Sequence, residues 1–312
     1  MDGRWIGGTA HENLTCLAAA MKPFMRVIHG IAIAVLCSFG SASGAAERPV
    51  PAREQVIAAS WMRHSLEYQF LAAQVFRQAT NALPAALTQA GTASVEQQAM
   101  TGFMSLPPAV ILDIDETAID NLDFSSALTA SGRYFNPDLW SAWMQNDQNG
   151  RVIPGVVAFV QEARSQGARV VFITNRACAP DGAPVCLEKE STMKALARIG
   201  IPDLEPGNVM FAGGADNVPS DKRGRREEVA RTHRIVMLVG DDLQDFVPQD
   251  MAVRMRRNRS IEPGHFGVRW FLLPNPLYGS WERFISDACN KDGTIPAAAM
   301  ECHYKALESA AP

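Results

Sequence analysis

The chain lacks most of the features that assign a function at sight. It has no excess of basic charge: 29 lysines and arginines meet 33 acidic residues, for a net charge of −4, so no basic surface for nucleic acid is expected. Its composition shows none of the bias that keeps a chain disordered. A bilayer-spanning helix needs about 20 apolar residues. The apolar stretch VIHGIAIAVLCSFG at 27–40 is too short and too interrupted to be one. Cysteine is scarce, at 6 in 312 residues.

That apolar stretch has another reading. Met25 and Arg26 precede it and SASGAA follows, giving a positive start, an apolar run and a small-residue cleavage site. Residues 1–45 are therefore expected to be a secretory signal, and the 20 residues before Met21, which carry no pattern, fit an over-extended start. A bacterial lipid anchor requires a small residue just before the modified cysteine. Cys37 follows Leu36 and Cys16 follows Thr15, and neither fits well. The expectation is an exported product, periplasmic or secreted, with no stable membrane anchor.

Four cysteines remain beyond the signal, in ACAPDGAPVC (Cys178, Cys186) and ACNKDGTIPAAAMEC (Cys289, Cys302). In an oxidising compartment two local disulfides are the natural expectation. Neither pair has the short spacing common in structural zinc sites.

From Arg53 to about Leu87, apolar residues recur at three- and four-residue steps (Val56, Trp61, Leu66, Phe70, Ala73, Phe76), which predicts helix. Pro107 and Pro108 then introduce AVILDIDETAID at 109–120. Further strands are expected in ARVVFITN (168–175), RIVMLVGDD (234–242) and GVRWFLLPN (267–275), with helical stretches between them. Strands alternating with helices predict an α/β fold with a mostly parallel sheet, whose ligand site lies off the carboxyl ends of the strands.

Polar residues, acidic at two of the ends, collect there. Asp113 and Asp115 follow the first strand, Thr174 and Asn175 end the second, and Asp241, Asp242 and Asp245 end the third. A single strand-end aspartate is usually a turn or helix cap; three such ends sharing a crevice point to a site. Clustered carboxylates suit a hard cation, and Mg²⁺ fits best because it takes few carboxylates and accepts a phosphate oxygen. Beside it, one carboxylate can act as nucleophile and a second, two residues on, as general acid and base. Thr174 can supply a hydroxyl for the phosphoryl group, and Lys222 in SDKRGRREE, at the start of a helix, a positive charge.

The ordered set DIDET, FITNR, a lysine before a helix, and GDDLQD resembles the four motifs of haloacid dehalogenase-like (HAD) phosphohydrolases. WMRHSLEYQFLAAQVF, DIDETAIDN, LWSAWM, VIPGVVAF, FITNR, GDDLQDF and LPNPLYGSWE are similar, in this order, to class C acid phosphatases of the lipoprotein e type, which have 5′-nucleotidase activity. The resemblance runs from about residue 55 to 285. It implies a Rossmann-like core with an N-terminal helical segment and a small helical cap. Residues 46–305 would form one domain (46–108 helical segment, 109–285 catalytic core), followed by a tail at 306–312.

By the same resemblance Asp113 would be the nucleophile and Asp115 the general acid and base. Mg²⁺ would be held by Asp113, Asp115 through its backbone carbonyl, and Asp241, with Asp245 in support. Thr174 and Lys222 would hold the phosphate. Asn175, Tyr278, Trp140 and Trp143 would contact substrate, Tyr278 by stacking on a nucleoside base and a tryptophan on the opposing face. The implied activity is hydrolysis of nucleoside monophosphates and similar small esters through an aspartyl-phosphate. A broad acid phosphatase without nucleotide preference, or an inactive exported binding protein on the same fold, are the alternatives. Two departures stand out: no convincing lipid-anchor cysteine, and an insertion between Arg176 and Glu188 that carries a cysteine pair.

Overall fold

The computed structural model describes residues 55–178, 186–213, 219–259, 264–289 and 299–308. The expected signal at 1–45 lies outside them, as does most of the 178–186 insertion. The described residues belong to the compact unit Arg48–Pro312.

The predicted leading helix is two helices, α1 (Gln55–His64) and α2 (Leu66–Thr88). Ser65 breaks the run with an extended backbone, and its hydroxyl accepts from the Tyr68 N–H, capping α2. The buried stripe also differs from the expected one. Tyr68, Ala72, Phe76, Ala79, Leu83 and Ala86 face inward, whereas Leu66 and Phe70 are 67% and 61% exposed. The stripe alternates alanine with bulkier residues, so α2 lies close to the core. Phe76 packs on Phe159, their ring centres 5.8 Å apart, and burying such a side chain stabilises by about 1.5–3 kcal/mol.

After β1 (Pro108–Leu112) the chain makes a small excursion. β2 (Ile119–Asp120) pairs antiparallel with β3 (Arg151–Val152), and α3 (Leu122–Ala130) and α4 (Pro137–Gln145) lie between them as the cap. The core then alternates: α5 (Val156–Ser165), β4 (Arg169–Cys178), α6 (Leu187–Arg198), β5 (Val209–Gly213), α7 (Arg223–Thr232), β6 (Arg234–Gly240), α8 (Gln249–Asn258) and β7 (Trp270–Leu272). Helices α9 (Ser280–Cys289) and α10 (Ala299–Glu308) follow.

The five-stranded sheet has the order β5-β4-β1-β6-β7, and every neighbouring pair is parallel. The α/β expectation is met. Strand β5, in NVMFAG, was not expected from the sequence; it is short and contains one β-branched residue, and its pairing with β4 defines it. β7 is three residues rather than nine, because Val268, Arg269 and Trp270 donate back to the His265 carbonyl in a turn.

Side chains of β1 alternate between two apolar layers. Val110 and Leu112 join the layer under α2 and α5, while Ala109 and Ile111 join that under α7 and α8. Both faces are covered, as parallel sheets require. That leaves the carboxyl ends of the strands as the place for a ligand.

Candidate active site

β1 stops at Leu112, but the Asp113 N–H still bonds the Val239 carbonyl of β6 at 3.0 Å. Asp113 therefore sits rigidly at the seam of the two central strands. Beyond it the Ile114 carbonyl accepts from the N–H groups of Thr117, Ala118 and Ile119, folding 113–119 into a tight loop. Within this loop Glu116 adopts a left-handed backbone, φ 54°, a conformation that costs a non-glycine residue energy. Its carboxylate is fully buried, accepting from the Asn121 N–H at 3.0 Å and from the Tyr278 hydroxyl. Burial, then Asp115 and Asp120, push its carboxyl well above the usual range against the opposing Asn121 bond. Glu116 is a strut between this loop and Tyr278.

Lys222 lies at the start of α7 and is buried. Its Nζ donates to Asp113 Oδ1 at 2.5 Å and to Asp245 Oδ1 at 2.6 Å. The other oxygen of Asp245 accepts from the N–H groups of Asp241 and Asp242, at 3.1 and 2.9 Å. Asp245 thus has both oxygens engaged inside the protein and shapes the Asp241 loop from behind. The loop requires glycine at 240, since a Cβ there would collide with the Asp245 side chain. Gly240→Ala is expected to cost about 1–3 kcal/mol by forced backbone shift, with a matching loss of turnover. A thermal melt and a phosphate-release assay on the variant check this, and wild-type values in both would show that the loop tolerates the methyl.

Asp113, Asp241 and Asp245 each offer a carboxylate oxygen within 4.8 Å of the others. Burial, with Asp245 and Asp115 nearby, pushes the Asp113 carboxyl up to about 7 despite Lys222. Burial and the charges of Asp113, Asp245 and Glu116 hold the Asp241 carboxyl well above its usual range. Burial would lower the Lys222 ammonium, but Asp113 and Asp245 outweigh it and hold it high. With all three carboxylates ionised, one lysine would leave net negative charge in a buried place, which is part of what pushes Asp113 and Asp241 up. A hard divalent cation with oxygen ligands fits that donor set.

Asp115 faces the other wall. Arg176 Nε and Nη2 reach its Oδ1 at 3.0 and 2.8 Å, the Asn121 amide adds a bond at 2.8 Å, and the Thr174 hydroxyl reaches Oδ2 at 3.2 Å. Thr174 in turn accepts from the Arg176 N–H at 3.0 Å. Arg225 of α7 donates to the Thr174 carbonyl at 2.5 Å and to Asn175 Oδ1 at 2.7 Å, which fixes the part of β4 where its pairing with β5 shifts register.

A cleft of about 640 Å³ opens above these groups, with Asp113, Asp115, Asn175, Lys222 and Asp241 on its floor. Residues 42–281 match the family described as HAD superfamily, subfamily IIIB (acid phosphatase). The chain belongs to that family. A class C acid phosphatase from Bacillus anthracis is 25% identical, with a TM-score of 0.64, covering 81% of this chain and 95% of its own. The structure of a Bacillus anthracis class C acid phosphatase with tungstate bound matches at 24% identity and a TM-score of 0.63, with the same coverage.

The cap shapes the mouth of the phosphatase cleft. Tyr278, 36% exposed, faces it from the loop after β7, and Tyr134 and Phe135, 57% and 63% exposed, from the α3–α4 turn. Trp140 also lines it, but the Arg176 guanidinium sits 5.7 Å from its ring centre and Phe124 packs at 5.1 Å. Trp143, expected to contact substrate, is not part of the cleft wall. It packs on Phe124, and its indole N–H donates to Asn121 Oδ1 at 3.0 Å. Asp242 is engaged by the Ser280 N–H and hydroxyl and by the Gln244 N–H.

Several site residues had no assigned role in the sequence reading. Arg176 stood in the quoted FITNR, where a basic residue just past a strand end was the signal. Asn121 and Asn275, which donates to Asp241 Oδ2 at 2.8 Å, stand in DIDETAIDN and LPNPLYGSWE with no role assigned there, and Arg225 carries no signal in one sequence.

Proposed function

We propose that the protein is an exported Mg²⁺-dependent phosphomonoesterase that hydrolyses nucleoside monophosphates and similar small esters. The observation that carries this is the convergence of Asp113, Asp115, Lys222 and Asp241 on one cleft floor, from three separate stretches of chain, with the buried Thr174 hydroxyl bonded to Asp115 from a fourth. A carboxylate of Asp113 attacks phosphorus, the ester P–O bond breaks, and Asp115 gives its proton to the departing alkoxide. Water then attacks the aspartyl-phosphate and loses a proton to Asp115, releasing phosphate and regenerating both carboxyl groups. Lys222 and the Thr174 hydroxyl balance charge on the transferred group. Mg²⁺ would be held by Asp113, the Asp115 carbonyl and Asp241, with Asp245 in support, and would neutralise phosphate oxygens. The tungstate bound to a similar protein supports an oxyanion site, tungstate being a tetrahedral anion like phosphate.

The nucleotide preference rests on the open aromatic rings. Tyr278 lies on the cleft wall, and Phe135 is the more open candidate for the opposing face. Stacking of this kind is worth about 1–3 kcal/mol per base and tolerates any base. Export rests on the layout of residues 25–46, and the two local bridges on the cysteines: neither Cys186 nor Cys302 is a free thiol.

The test is phosphate release from nucleoside monophosphates and from a small aliphatic ester, with and without Mg²⁺, on the wild type and on Tyr278→Ala. Turnover is expected only with the cation. Tyr278→Phe, which removes only the hydroxyl bonded to Glu116, sets the baseline; relative to it, Tyr278→Ala should lower kcat/KM for nucleotides by roughly 5–150-fold, the equivalent of that stacking energy, and leave the aliphatic ester nearly unchanged. Equal losses on both substrates would favour the broad acid phosphatase, and undiminished turnover after chelation would remove the metal.

A further inference from the structure

Glu96 lies in the short helical turn Val95–Gln97, ahead of β1 and outside every motif of the family resemblance. Its Oε1 accepts from Arg226 Nε at 3.0 Å and Nη2 at 2.8 Å, and its Oε2 accepts from the Ser94 hydroxyl at 2.7 Å. The side chains of Arg226 and Glu96 are 1% and 2% exposed. A buried ion pair is costly to desolvate and is weak evidence for stability alone. The proposed reaction uses neither residue.

The remaining arginine donor shows what the pair is joined to. Arg226 Nη1 donates to the backbone carbonyls of Gln244 and Asp245, at 2.9 and 3.1 Å. Arg226 is also four residues after Lys222 on α7, its N–H bonding the Lys222 carbonyl at 3.0 Å. One guanidinium therefore ties the helix that starts at Lys222 to the loop that carries Asp241 and Asp245. The anchor is firm, because the neighbouring Gln97 amide donates to the Ala230 and His233 carbonyls, at 3.1 and 2.8 Å.

We propose that the buried Glu96–Arg226 pair is a positioning device for the cation site, holding Lys222 and Asp245 in register from behind without touching cation or substrate. This rests on the proposed metal dependence. Outer-shell partners of this kind usually change metal affinity by about 10–100-fold when removed, and a pair that only stabilised the fold would not.

The experiment measures Mn²⁺ and Mg²⁺ binding to the chelator-treated full chain by calorimetry, with a thermal melt of each sample. Glu96→Gln removes the charge at nearly constant size, and Glu96→Asp restores it. Glu96→Leu combined with Arg226→Met removes both charges, so that no arginine is left buried and unpaired. Phe76→Leu, remote from the site, is the control for lost stability alone. The expected result is cation affinity about 10–100-fold weaker in Glu96→Gln and in the double variant. Glu96→Asp should recover part of it, Phe76→Leu should match the wild type, and turnover should return in excess Mg²⁺. Wild-type affinity in a folded Glu96→Gln or double variant would overturn the proposal, as would an equal loss in Phe76→Leu. A wild type that binds neither cation would overturn the metal dependence itself, and the positioning role with it.

Discussion

Asp113→Asn is expected to lose turnover by about 10⁴-fold or more while remaining folded, the scale seen when a covalent nucleophile is removed. The amide keeps the size of the carboxylate but is a far poorer nucleophile toward phosphorus. The fold should tolerate it because Asp113 is held through its backbone bond to Val239, which the substitution leaves intact. It also removes one charge from a crowded cluster, and Asp245 remains as a partner for Lys222. Single-turnover phosphate release and a thermal melt check both halves. Turnover within tenfold of the wild type would remove the nucleophile assignment.

Lys222→Met should strike both stability and rate, and the two losses should respond differently to metal. The ammonium is buried and bonds Asp113 and Asp245 directly. Removing one partner of a buried charge pair typically costs about 3–5 kcal/mol, because the charges left behind have no compensation. At roughly 2–4 °C per kcal/mol for a domain of this size, the chelated protein should melt about 6–20 °C lower. A divalent cation should restore part of that stability by neutralising the same carboxylates. It should not restore turnover, since the positive group on the transferred phosphoryl is gone; a lost electrostatic donor costs about 10²–10³ in kcat. The check is a pair of melts with and without Mg²⁺ beside initial rates. Recovery of full rate with Mg²⁺ would limit Lys222 to a structural counter-ion.

The site was more legible than the fold around it. DIDET, FITNR and GDDLQD are local strings at strand ends, and a parallel sheet delivers all its strand ends to one side. Asp113, Asp115, Thr174 and Asp241 could therefore be grouped before any contact was known. Lys222 was legible only through the order of motifs, as a lysine ahead of a helix. Trp143 misled because LWSAWM places two tryptophans three residues apart on one helix, and spacing does not say which ring faces the cleft. Arg176 supplies the clearest case of a role hidden in plain view: its bonds to Asp115 and its position over Trp140 depend on how β4 meets the cap.

The sequence by itself determined the α/β alternation, the acidic strand ends and the family, because these reside in short-range period, residue type and motif order. Only the tertiary structure decided the rest. It set which face of α2 is buried, that Glu116 braces Tyr278, that Asp245 works from behind the Asp241 loop, and that Glu96 meets Arg226 across 130 residues. Apart from the Asp245–Asp241 bond, which spans only four residues, each depends on the docking of a helix or loop against the sheet. A buried charge finds its partner through that docking, and no local pattern in the chain encodes it.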